Sequence, residues 1–216
     1  MKVSVRLFSG LAIAAALAGC SREGELVIQD GVGITAVRTA CPAVGIPDYT
    51  GNVTLFRTPA SRAASDIDVV ANITNLRSTC DDTGAKVYAN ATFDVLARRT
   101  DVRGSRRVEM PYFSTVVRGN SQVVTKRIGT VVLDFADGQE RARASGQAGA
   151  FIDRAEATLP EEIREKITRR RRPGDPDAAL DPLTDPEVKA ALNRATFELL
   201  VGFQLTEPQL AYNATR

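Results

Sequence analysis

The sequence predicts a mainly β protein: an antiparallel, immunoglobulin-like β-sandwich of about seven strands with a helical insertion before the last one. Three observations carry this. Apolar and polar residues alternate in long runs from residue 52 onward, turns rich in Gly and Asp separate the runs, and helix signals are confined to about residues 160–194. A β-barrel, or a curved sheet covered by two helices, fits the same pattern and stays open as the alternative.

The runs follow in chain order. Ile67, Val69, Ala71 and Ile73 take one face, with Asp66, Asp68, Asn72 and Thr74 on the other. Val87, Ala89, Ala91, Phe93, Val95 and Ala97 face away from Asn90, Thr92, Asp94 and Arg98. A period of two marks half-buried strands. Further runs cover 107–118, 122–135 and 139–152. Residues 79–84, 101–105, 119–121 and 137–138 supply the turns, and loops this short predict antiparallel neighbours. Pro111 predicts an edge or a bulge in its own run. Ala142, Ala144, Gly146, Ala148 and Ala150 form a face small enough for another layer to approach closely. Phe197, Leu199, Val201, Phe203 and Leu205 of the final strand are its large partners.

A helix is expected from Pro160-Glu161-Glu162, where the proline suits the first turn and the acids meet the positive end of the dipole. It is read as running into the arginines at 169–172, with Pro173-Gly174 as its stop. Asp185-Pro186-Glu187 caps a second helix ending near Arg194. Pro208 ends the last strand and leaves 207–216 as a C-terminal tail, disordered or docked as an added strand on a partner.

The totals exclude several function classes. The chain of 216 residues has no histidine, which removes Ser-His-Asp and Cys-His catalysis, histidine zinc sites and any imidazole pH switch. No phosphate-binding or dinucleotide-binding glycine motif is present. The formal net charge is +2, and Lys2 and Arg6 account for it, so the remainder is neutral. A neutral chain argues against nucleic-acid binding. No cofactor and no metal site is expected. Neither is an enzyme, though carboxylate chemistry is kept as an alternative.

The first residues have a plan of their own. Lys2 and Arg6 precede an apolar run from Leu7 to Ala18, which is too short to span a bilayer and ends in Leu17-Ala18-Gly19-Cys20. That segment resembles the signal peptide and lipobox of bacterial lipoproteins. The resemblance covers the leader and Cys20 alone. It implies removal of residues 1–19, acylation at Cys20, and anchoring by two or three chains. Ser21 at the following position favours the outer over the inner membrane, on the periplasmic side. Residues 20–25 then form a short lipidated tether, and 26–206 a single β-rich domain.

With Cys20 acylated, Cys41 and Cys80 remain as an even pair. In an oxidising compartment they read as one disulfide closing a loop of about 40 residues, worth about 3–4 kcal/mol in the chain-entropy model.

Two arginine groups are candidate binding surfaces. Arg98, Arg99, Arg103, Arg106 and Arg107 surround one turn, and Arg169, Arg170, Arg171 and Arg172 form a continuous run. Guanidinium clusters of this kind suit phosphate-bearing lipid or an acidic partner, while the plainer reading is a solvated surface. The expected function is therefore a membrane-anchored, non-catalytic interaction or scaffold module of the cell envelope. Its partners are membrane lipid through Cys20, together with an envelope protein, polysaccharide or anionic lipid. The alternative is a carboxylate-based hydrolase or a binding module for envelope polysaccharide. It would use paired acids such as Asp66 and Asp68, about 6.5–7 Å apart on a strand face, and Tyr88 or Tyr112 as stacking aromatics.

Overall fold

The computed structural model describes Ala36 and residues 38–215. The expected leader, Cys20 and the expected tether at 20–25 lie outside the described residues. The chain divides into two units: a small one that includes Arg170–Ala179, and a main one that includes residues 38–169 and 180–215.

The main unit is mainly β, with 47% strand and 20% helix over the chain, and is built from two sheets of which one curls into a half-barrel. Its strands are β1 (Ala43–Gly45), β2 (Asn52–Phe56), β3 (Ile67–Asp81), β4 (Lys86–Arg99), β5 (Arg106–Arg118), β6 (Gln122–Phe135), β7 (Arg141–Asp153) and β8 (Phe197–Phe203). One sheet has the order β2-β3-β4-β7, and the other β1-β8-β5-β6. Four helices follow β7 in the chain: α1 (Arg154–Ala157), α2 (Glu161–Thr168), α3 (Pro186–Ala195) and, after β8, α4 (Glu207–Ala214).

The alternating runs become strands for the reason their period gave. Val87 through Ala97 turn every second residue into a core that also holds Val69, Ala71, Leu133, Phe135, Leu199, Val201 and Phe203. The small face of β7 belongs to this core, and two of its residues lie beside larger ones of β4: Ala144 opposite Val95 and Gly146 opposite Phe93. The close approach is specific at two glycines. A Cβ at Gly146 would overlap the Phe93 ring, and a Cβ at Gly129 would overlap the Tyr112 ring. The two rings then meet edge to face with centroids 5.1 Å apart, joining the sheets through the core.

Several expectations are corrected. The β3–β4 and β5–β6 turns do join antiparallel neighbours, but the links at 100–105 and 136–140 cross from one sheet to the other. Their Gly and Asp chemistry is that of a hairpin, and only the destination differs. The sheets are not wholly antiparallel, because the three-residue β1 runs parallel to β8. Pro111 lies in β5, a strand with neighbours on both sides. The β5–β8 ladder spans Tyr112 to Arg118, so Pro111 sits one residue past it, where that side of β5 is locally an edge.

The first helix stops at Thr168, short of the arginine run. Pro173 disfavours helix at Arg172, and like charges on neighbouring turns add no support. Ile163 and Ile167 of α2 bury against Val188 and Ala191 of α3 in a second small core. Asp185 caps α3 as expected, accepting from Glu187 N at 2.8 Å. The tail at 207–216 contains α4, begun by a Thr206–Gln209 capping box. It docks on β2 through Tyr212 against Phe56 at 5.2 Å, and through the Asn213 amide donating to Tyr49 O and Asn52 O.

Cys41 and Cys80 form the disulfide, with Cα atoms 6.1 Å apart. Cys41 precedes β1 and Cys80 lies one residue before the end of β3, so the bond ties the two sheets together.

Candidate functional site

The residues of the first arginine cluster go separate ways. Arg99 continues the inward face of β4 and is buried, at 1% exposure. Its Nε donates to Gln139 O at 2.8 Å, Nη1 to Gly104 O at 2.8 Å, and Nη2 to Val102 O at 2.7 Å and Ala136 O at 2.8 Å. The four carbonyls come from the two links that cross between sheets, and the guanidinium also lies 5.3 Å from the Phe135 centroid. Arg99 is therefore an internal fastening of the two crossovers.

The others stay at the surface, each with its own carboxylate. Arg103 pairs with Asp101 at 2.7 Å and Arg107 with Asp134 at 2.8 Å. Arg106 grips Asp68 with two parallel bonds of 2.7 Å, a fork matched to a carboxylate. Arg98 pairs with Glu140 at 3.1 Å. In the second group, Arg169 lies just past α2, and in the small unit Arg171 is buried with Asp177 at 3.2 Å while Arg172 N donates to Asp175. Arg170 is exposed.

Two of these line depressions: Arg106, already held by Asp68, beside β2 and α4, and Arg98 on the outer face of a sheet. An open groove of about 720 Å³ lies on the outer face of the β3-β4-β7 sheet. Period two puts Val70 and Asn72 of β3, Leu96 and Arg98 of β4, and Arg141 and Arg143 of β7 on that face. The register sets Val70 beside Arg98 and Arg98 beside Arg141, and Asn72 beside Leu96 and Leu96 beside Arg143. Three guanidiniums thus surround Leu96, which is 46% exposed.

Like charges directly opposite on adjacent strands are unfavourable, and two features hold these in place. Arg98 is held by Glu140. Arg143 donates to Asp94 at 2.7 Å, and that carboxylate also accepts from Asn75 Nδ2 and Ser145 Oγ at 2.8 Å each. Asn75 reaches it from a bulge in β3, with φ of 52°. The Asn75 amide, then the Ser145 hydroxyl, and Arg143 besides, hold the Asp94 carboxyl below its ordinary range. Asp94 stays ionised and fixes Arg143 at the groove wall. Arg141 has no carboxylate partner among the described residues. The arrangement offers an anion one unneutralised guanidinium flanked by two fixed ones, over an apolar floor.

Arg141, Arg143 and Asp94 were not singled out from the sequence as site residues. Their signal was the alternation of β7, which puts Arg141 and Arg143 opposite the Ala142–Ala144 face.

The residues of the carboxylate alternative are each engaged by a partner of their own. Asp66 lies in a 3-10 turn before β3 and accepts from Ser61 Oγ at 2.5 Å, while Asp68 is held by Arg106. Tyr112, partly buried, donates to Gln147 O at 2.8 Å, and Tyr88 stacks on Phe151 at 4.6 Å elsewhere. Comparison with known proteins finds no matching family model, no matching curated protein and no matching solved structure.

Proposed function

We propose that the chain is a lipid-anchored, non-catalytic interaction module of the cell envelope, and that its β domain grips anionic lipid headgroups through the basic groove. The observation that carries this reading is the convergence of Arg98, Arg141 and Arg143 around exposed Leu96. A headgroup phosphate takes charge-assisted bonds from a guanidinium fork, and the apolar floor suits the start of an acyl chain. The lipobox at Leu17 to Cys20 supports an anchor in the same membrane, with outer-membrane placement favoured by Ser21. The two facing sheets are read as an immunoglobulin-like sandwich scaffold, supported by their common core.

The test uses residues 21–216 without the anchor. Co-sedimentation with vesicles containing 30% phosphatidylglycerol should exceed that with phosphatidylcholine alone, and should weaken with salt. At about 1 kcal/mol per basic residue near an anionic surface, Arg141→Glu, a change of two charges, should lower binding about 30-fold. Equal sedimentation of both vesicle types would overturn the reading. Separately, mass spectrometry of the native protein should show acyl groups on Cys20.

A further inference from the structure

β6 and β7 follow one another in the chain but form no ladder together. Among the described residues β6 pairs only with β5, and β7 only with β4, so among them each leaves one backbone edge unpaired. Open edges are templates for another strand. The 136–140 link holds the pair together at one end. A second fastening lies midway: Tyr112 packs over Gly129 of β6, and its hydroxyl donates to Gln147 O of β7 at 2.8 Å.

Past Gln147, no hydrogen bond joins β6 and β7 among the described residues. A cleft of about 560 Å³ opens there. Its floor is apolar, formed by the buried Val116 of β5 and Leu199 of β8. Its rim carries Phe151 at 69% and Val124 at 53% exposure, large apolar side chains in water. Arg127 is the one charged residue lining it, and has no carboxylate partner among the described residues.

The chemistry of the two walls selects the occupant. An acyl chain would match the floor but leave two rows of backbone donors and acceptors unsatisfied. An extended peptide satisfies both. We infer that the seam between β6 and β7 accepts an extended segment of a partner protein as an added strand, with apolar residues at alternate positions and a carboxylate opposite Arg127. The open stretch of β7, residues 149–153, sets a length of about 17 Å at roughly 3.4 Å per residue. This site is independent of the basic groove.

The probe is a capped, fluorescently labelled nonapeptide alternating Val with Thr around one central Glu. Two controls accompany it: the same peptide N-methylated at alternate amides, and one with Lys in place of Glu. Fluorescence anisotropy with residues 21–216 should show binding that falls at least tenfold on N-methylation, which removes donors and keeps side chains. Val124→Glu and Phe151→Glu should each weaken it at least fivefold. Both positions are exposed, and an unchanged urea midpoint verifies folding; if either variant unfolds, Val124→Thr replaces it. Arg127→Glu should invert the preference between the Glu and Lys peptides.

Equal binding of all three peptides, or none at 0.5 mM, overturns the inference. So does a concentration-dependent dimer abolished by Val124→Glu without peptide binding, which would make a second copy the occupant.

Discussion

Arg98 and Arg141 stand directly opposite one another in the β4–β7 ladder, on the outer face of the sheet. Two like charges in that position oppose folding by about 0.2–1 kcal/mol. Arg141→Glu should therefore raise stability by about that amount, read as a higher urea midpoint, while it weakens binding to anionic vesicles. A substitution that strengthens the fold and weakens binding separates a ligand-directed charge from a structural one. If Arg141→Glu destabilises the protein, the arginine is holding the sheet together.

Arg99 gives the opposite expectation. Its guanidinium is the shared donor for carbonyls of both sheet-crossing links. Arg99→Ala leaves four carbonyls without that donor in a buried place, and should lower stability by about 2–4 kcal/mol, since bonds to charged groups contribute about 1.5–3 kcal/mol each at most and water recovers part. Chemical denaturation measures this. Vesicle binding by the folded fraction should be unchanged, because Arg99 faces the interior.

The contrast between Arg98 and Arg99 shows how far the sequence could be read. Alternation alone places Arg98 with Asn90, Thr92 and Asp94, and Arg99 two residues past Ala97 on the apolar face. The inward direction of Arg99 was thus legible, while its destination was not. A hairpin turn and a sheet-crossing link share the same Gly and Asp chemistry, so nothing local tells 101–105 from 119–121. The groove was hidden for the same reason: Arg141 meets Arg98 only through the β4–β7 register, a pairing of residues 43 positions apart in the chain. β1 was illegible because three residues, Ala43–Gly45, are too few to show a period. The long strands, the small face of β7 and the cap of α3 were legible because each depends on side-chain spacing or a local hydrogen bond.

The Phe93–Gly146 and Tyr112–Gly129 pairs are predicted to be sensitive to a single methyl group. At Gly146 the neighbouring ring leaves no room for Cβ. Gly146→Ala should cost about 1–3 kcal/mol through overpacking, although alanine ordinarily suits a strand better than glycine. Combining it with Phe93→Leu should recover part of the loss. Thermal melts of the two single variants and the double variant provide the cycle, and additive losses would show that the ring and the glycine do not interact.

The Cys41–Cys80 disulfide spans 39 residues and joins the sheets through the approach to β1 and the end of β3. In the chain-entropy model such a bond contributes about 3–4 kcal/mol. Replacing both cysteines by serine should lower Tm by about 10 °C for a domain of this size. Hydrogen exchange should rise first in β1, whose only ladder among the described residues is with β8. A melt unaffected by the double substitution would place the stability elsewhere.

Acid lability follows from the carboxylates. Hydrogen bonds hold Asp94 below its ordinary range through Asn75 and Ser145, Asp81 through the Thr83 N–H, Asp101 through Arg103, and Asp185 through the Glu187 N–H. A carboxyl lowered in the folded state contributes stability that is complete above its unfolded value of about 3.9 and is lost as pH falls through the folded value. With no histidine in the chain, no side chain of ordinary pKa titrates between about pH 5 and 8. The urea midpoint should therefore be level across that interval and fall below about pH 4. Asp94→Asn should lower the plateau, by breaking the bond to Arg143, and flatten the acid limb. It should also weaken anionic-vesicle binding at neutral pH, since Arg143 loses the group that fixes it. A stability transition centred near pH 6–7 would contradict this assignment. So would an Asp94→Asn variant with an unchanged acid limb.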